Sequence, residues 1–205
     1  MAKKTTTTKK VSEKKATATE AKQKASQKSE AKPMVAEAII MYQNDTTINE
    51  NIVNGTLTDK QKDCVEKLDK AMCPLSDMEL NRLVSKTVIA KYMEQAGVTT
   101  IDGLVGKTIE NVPFVSMSKR TLHDILEKRY SLGLDKPNCI VVHTGITGKV
   151  KGLDVEIELR EEGIENTFKH QQEIILARGQ KFLIKKIVIG DGWGEGYPIL
   201  HLYAV

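Results

Sequence analysis

Apolar residues recur at helical spacing from residue 34 to about residue 97, and at strand spacing from about residue 108 onward, so this chain folds helices first and a sheet afterward. Met34 to Tyr42 places Val35, Ile39 and Tyr42 on one stripe, and Ile48 to Asn54 follows a polar turn. Thr58 and Gln61 have capping-box spacing, and the helix they open aligns Cys64, Val65, Leu68 and Met72, with Pro74 just past its end. Leu80 to Val84 reads as a strand, and Thr87 to Gln95 as a helix stopped by Gly97. The expected strands beyond are Thr108–Ile109, Pro113–Ser118, Asn138–His143, Val155–Leu159, Gln172–Ala177, Lys181–Ile189 and Ile199–Val205, with one helix, Leu122 to Tyr130, among them. The run Gly190 to Gly196 joins the last two strands as a flexible hairpin connection; no helix follows it, so it is not a dinucleotide fingerprint. The fold class is α+β.

The 205 residues suffice for one domain with a real core, which rests on Ile, Leu, Val and Met because aromatics are only 4%. Charge is unevenly placed. Residues 1–33 hold 10 Lys and 3 Glu and no large apolar side chain beyond Met1 and Val11. Such a segment has nothing to bury against its ordering entropy and is expected to be a disordered basic tail, with residues 34–205 forming the folded domain. The tail reads as a solubilising or tethering segment, with weak contact to nucleic acid or an acidic surface as the alternative. Cys64, Cys73 and Cys139 suggest no disulfide framework. Cys139 and His143 have a spacing some metal sites use, but Cys139 to Val142 reads as a buried strand, so no metal is expected. No segment is apolar enough to span a membrane and no secretory signal is visible, and with the unpaired cysteines a reducing cytoplasm is the expected location.

The chemistry is concentrated in His170-Gln171-Gln172-Glu173-Ile174-Ile175-Leu176-Ala177-Arg178-Gly179. In a strand, positions i and i+2 share a face, so Gln171 and Glu173 project together into one cleft. A carboxylate beside an amide suits reactions in which positive charge develops on a sugar while a nucleophile is steered toward it. Polar pairs on exposed strands are common, so this pair gains weight only from two upstream elements in order: Met78-Glu79-Leu80-Asn81-Arg82-Leu83-Val84 and Pro113-Phe114-Val115-Ser116-Met117-Ser118.

Together these elements resemble the toxin- and phage-type mono-ADP-ribosyltransferases. Tyr42, Ile48-Asn49 and Val65 to Ala71 look like the family's helical entry, and Leu80-Asn81-Arg82 like its arginine strand. Gly106 to Ile109 with Phe114 to Ser118 is similar to its aromatic, Ser-Thr-Ser element, and Gln171-x-Glu173 to its (Glu/Gln)-x-Glu strand. The resemblance spans about residues 35–205 and extends to phage head-associated proteins and clostridial-type exotoxins. It implies a split β-sheet gripping NAD, which is cleaved as a substrate, and a protein as acceptor of ADP-ribose. By that likeness Glu173 is the catalytic carboxylate, which holds the ribose and stabilises an oxocarbenium-like sugar, oriented by a hydrogen bond from Ser116. Arg82 takes the pyrophosphate, Gln171 orients the acceptor, and Ser118 fixes the strands. Phe114, Arg120 and Arg129 are further implied nucleotide contacts, and the Gly163–His170 turn with Phe168 corresponds to the acceptor-recognising one. Two positions depart from the pattern. Met117 replaces the middle Thr and is expected to pack inward, and Gln171, rather than Glu, is associated with acceptors other than arginine. The rivals are an NAD glycohydrolase on the same site and a non-catalytic, virion-associated structural protein that keeps the fold. In the second case Arg82, Ser116 and Glu173 have no reason to converge.

Overall fold

The structure, a computed structural model, describes residues 35–131, 139–143, 150–190 and 196–205, without the side chains of 129–131 and 139–143. The basic tail, Asn138, the core of the Gly-rich run and the Arg129 side chain lie outside the described residues. Three helices come first: α1 (Ala36–Asn44), α2 (Ile48–Asn54) and α3 (Asp59–Ala71). The capping box at the start of α3 is complete. The Gln61 N–H donates to Thr58 Oγ1 at 3.3 Å, and the Thr58 N–H donates to Gln61 Oε1 at 3.0 Å. Gln61 is itself buried and also donates to Asp45 Oδ2 at 2.9 Å, which ties α3 to the turn after α1. Thr58→Ala should therefore lower stability by about 1 kcal/mol, read as a shift in the urea midpoint with an unchanged slope.

The remaining elements are β1 (Cys73–Pro74), β2 (Leu80–Val84), α4 (Lys86–Ala96), β3 (Thr108–Asn111), β4 (Val115–Ser118), α5 (Leu122–Ser131), β5 (Cys139–His143), β6 (Lys151–Asp154), α6 (Val155–Glu161), β7 (Glu173–Leu176), β8 (Gln180–Ile189) and β9 (Pro198–Ala204). Val155 to Leu159, expected as a strand, is helix α6. Val-Glu-Ile-Glu-Leu satisfies both periods over so short a run, and Asp154 decides it by accepting hydrogen bonds from the Glu156 and Ile157 N–H groups at 3.2 and 3.4 Å. Strands β1 and β6 carry no alternation long enough to read in advance.

The strands are ordered β1-β6-β7-β4-β2-β5-β9-β8-β3, antiparallel except for the parallel pair β5–β9. The ladder narrows to one bridging pair, Asn81 with Ser118, between β4 and β2, so the sheet is nearly split there into two halves. Both halves turn their inner faces to one core, where Met117, Ile174 and Leu176 meet Leu80, Phe182, Leu200 and Leu202, with Ile89 and Tyr92 of α4. The outer face of β4, β6 and β7 is covered by α1, α2, α3 and α6 through a second cluster that includes Ile39, Leu68, Phe114, Leu153 and Ile175. Among the described residues no helix is long and apolar enough to cross a membrane.

Candidate active site

Strands β4 and β7 pair so that Ser118 lies opposite Glu173, and Ser116 opposite Ile175. Opposed residues share a face and neighbours alternate, so Ser116, Ser118 and Glu173 point outward while Met117 and Ile174 point into the core. Met117 is 3% exposed and packs as alternation demands, leaving the serine pair in place.

Two adjoining cavities open on this outer face. One, of about 230 Å³, is lined by Tyr42, Gln43, Asp45, Thr46, Asn49 and Phe168; the other, of about 300 Å³, by Asn81, Arg82, Leu83, Ser118, Arg120, Lys128 and His170 among others. Ser116, Gln171 and Glu173 line both and mark the boundary between them. Arg82, Ser116, Gln171, Glu173, Ser118 and Arg120 thus come together, although they arise from three separate strands and two turns. Among the described residues neither Arg82 nor Arg120 forms an ion pair with a carboxylate. Arg120 donates to the carbonyls of His170 at 3.5 Å and Asp124 at 3.3 Å, which holds its guanidinium along the rim of the second cavity.

Glu173 is only 6% exposed, and the hydrogen bond it receives comes from a residue that sequence reasoning passed over: Gln43 Nε2 donates to Glu173 Oε2 at 2.7 Å. The expected partner, Ser116, instead donates to the Tyr42 hydroxyl at 3.4 Å. The register explains the exchange, because Ser116 stands diagonal to Glu173 while the last turn of α1 lays Tyr42 and Gln43 over the strand pair. The same hydroxyl accepts from Asn49 Nδ2 at 3.0 Å. Burial raises the pKa of the Tyr42 phenol, an effect that the Ser116 and Asn49 hydrogen bonds and the Arg82 charge only partly oppose. The phenol is therefore protonated at neutral pH.

Phe114 is 1% exposed and meets Tyr42 edge-on, with centroids 5.7 Å apart and an interplanar angle of 81°. It supports the cleft from within the core and does not line it, contrary to the contact the resemblance implied. Gln171 and Glu173 do not share a strand either. Lys169–Gln171 is one turn of 3-10 helix, and Gln172 is left-handed at φ 47°, the one non-glycine with positive φ among the described residues. That reversal, rather than strand alternation, brings Gln171 to the same cavities as Glu173. Ser118 fixes it by donating to the Gln171 carbonyl at 2.6 Å while accepting from the Arg120 N–H at 3.1 Å.

Asn49 lines the first cavity and Asn81 the second, and the side-chain Oδ1 of each is buried without a hydrogen-bond partner. Asn81 Nδ2 donates to the Arg120 carbonyl at 2.9 Å and lies 3.4 Å from Glu79 Oε1, which assigns the opposite end of the amide as oxygen. An unsatisfied buried acceptor costs about 1–3 kcal/mol. Of these residues, Gln43 carried no sequence signal except its place beside Tyr42.

No family model matches the chain, and no curated protein matches it in sequence. Solved structures do. The protein is similar to the C3 exoenzyme of Clostridium limosum, with a TM-score of 0.62 and 18% identity over 94% of each chain. It is also similar to an ADP-ribosyltransferase from Clostridium botulinum, with a TM-score of 0.61 and 14% identity over 84% of this chain and 86% of that one. A further similar structure, from S. aureus and solved with NAD, aligns over 100% of this chain and 99% of its own, with a TM-score of 0.60 and 15% identity. A nearly split sheet, a helical cover over its outer face and a cleft at the seam thus belong to a fold matched along almost the whole chain: the protein has the fold of the C3-type toxin mono-ADP-ribosyltransferases.

Proposed function

We propose that the protein is a mono-ADP-ribosyltransferase that cleaves NAD at the nicotinamide–ribose bond and transfers ADP-ribose to a protein side chain. The observation that carries this reading is the meeting of Arg82, Ser116, Gln171 and Glu173 around one cleft. A chain that kept the fold only as scaffold has no reason to bring a guanidinium, a buried carboxylate and two hydrogen-bonding side chains to the same place. Arg82, Arg120 and Lys128 give the second cavity a cationic lining suited to the dinucleotide pyrophosphate. Glu173, at the boundary, faces the ribose. The C–N bond breaks with its electron pair leaving on nicotinamide, and the carboxylate stabilises the cationic sugar that remains. The acceptor nucleophile then bonds to the anomeric carbon and loses its proton. The first cavity, with Phe168 and Gln171 at its edge and no Lys or Arg among its described lining residues, is left to that acceptor. Gln171 orients it through an amide that is a poor base, which argues against a reaction driven by deprotonation at this position.

The test is incubation of the full chain with NAD labelled in the adenylate portion, together with bacterial lysate, beside Glu173→Gln. Label on a discrete protein band, absent with the variant, is the expected result. Nicotinamide release without labelled protein would make the protein a glycohydrolase, and no NAD binding at all would leave the fold without this chemistry.

A further inference from the structure

We infer that Gln43, from the last turn of α1, is the positioning residue of the Glu173 carboxylate, holding Oε2 so that Oε1 is presented to the cleft. The inference rests on the reading of Glu173 as the group that meets the sugar. Its warrant is local. The Gln43 amide donates to Oε2 at 2.7 Å, and among the described residues no other side chain donates to this carboxylate. A carboxylate has two equivalent oxygens and a rotatable last torsion, so one fixed hydrogen bond distinguishes them. The amide is also the right kind of anchor. It supplies a donor without adding charge, so it orients the anion without cancelling the negative field that the developing cation needs.

The anchor is itself held. Tyr42, the preceding residue, is buried against Phe114 and receives hydrogen bonds from Asn49 and Ser116, so the end of α1 is pinned to α2 and to β4. The turn beyond α1 is closed by Asp45, which accepts from the Thr47 N–H at 3.0 Å and from Gln61 Nε2 at 2.9 Å. The Thr47 hydroxyl, which donates to the same carboxylate at 2.7 Å, then the Gln61 amide and the Thr47 N–H, hold the Asp45 carboxyl below its ordinary pKa, so the turn stays closed at neutral pH. The carboxylate of a strand is thus aimed from a helix 130 residues earlier in the chain.

Two variants test it. Gln43→Asn keeps the amide but shortens its reach by one methylene, and Gln43→Met keeps the length and removes all hydrogen bonding. Each is compared with the wild type and with Glu173→Gln for kcat and KM toward NAD, and for melting temperature. The expected result is a fall in kcat of about 10- to 100-fold in both variants, the weight of one hydrogen bond to a charged group, with KM for NAD changed by less than about threefold. A merely structural residue would instead lower the melting temperature and the amount of folded protein while leaving kcat per folded molecule intact. Full kcat in Gln43→Met, alongside loss of turnover in Glu173→Gln, would overturn the positioning role and leave the proposed function standing. Absence of turnover in the wild type would remove both.

Discussion

Glu173→Gln should lower kcat for NAD cleavage by about 100- to 1000-fold, the cost usually measured when one group that stabilises transition-state charge is removed. Its KM should stay close to that of the wild type. The substitution keeps the size of the side chain and its place on β7, and it converts a buried anion into a neutral amide. In the wild type that anion stands 2.7 Å from Gln43 and borders both cavities. In the proposed function, ground-state contacts to the pyrophosphate come from the other end of the second cavity, so binding should survive where catalysis does not. Two amides would then face each other at positions 43 and 173 and can still hydrogen-bond, so the fold should be preserved. Stopped-time nicotinamide release, with NAD affinity measured by calorimetry on the same preparation, checks both halves of this expectation. A variant that loses affinity and rate together would point to a ground-state role for Glu173.

The second large effect is on stability. Gly152→Val should destabilise the domain by about 3 kcal/mol or more, beyond the usual cost of overpacking. Gly152 sits between β1 and β7, opposite Cys73 on one side and Leu176 on the other. A Cβ there would lie 2.8 Å from the Ile175 carbonyl oxygen and 2.9 Å from Leu75 Cδ1. Leu75 can rotate away, but the carbonyl belongs to the β7 backbone and moves only if the strand moves. Thermal unfolding should show a drop of about 2–4 °C for each kcal/mol lost. Because β7 begins at Glu173, the residual folded protein should also be a poorer catalyst, whereas Thr58→Ala should lower stability with no such effect. Gly152→Ala is the milder control, expected at about 1–3 kcal/mol.

Local signals in the sequence locate most helices and the strands that carry the candidate site, because caps and periodicities act over a few residues. The Thr58–Gln61 box and the Gly97 stop stand where sequence reasoning puts them, Gly97 being left-handed at φ 65°. The inward turn of Met117 follows from alternation alone. Features that turn on a single residue or on distant partners are another matter. Val155 to Leu159 fits two periods, and only the Asp154 side chain selects the helix. Gln171 and Glu173 share a cleft through a left-handed residue between them, a conformation that glutamine does not advertise. Ser116 and Glu173 belong to one site, which suggests a direct hydrogen bond. Their register makes them diagonal neighbours, and α1 supplies each with a different partner. Likeness alone assigns Phe114 to the nucleotide, yet an aromatic just ahead of β4 meets the helical layer before it can meet the cleft. The strand order, with β5 and β9 parallel, depends on pairings across the whole chain and leaves no local trace.

The single bridge between Asn81 and Ser118 bears on how this protein should hold small molecules. Arg82 stands on one bank of that joint, and Ser116 and Glu173 on the other. A compound gripped by all three would be a splint across a seam that the backbone bridges once, and part of its binding free energy would go into ordering that joint. Fragments that touch one bank gain none of that stiffening and carry none of its cost. A whole dinucleotide should therefore protect the backbone amides beside the Asn81–Ser118 bridge from hydrogen exchange more than either of its ends does alone.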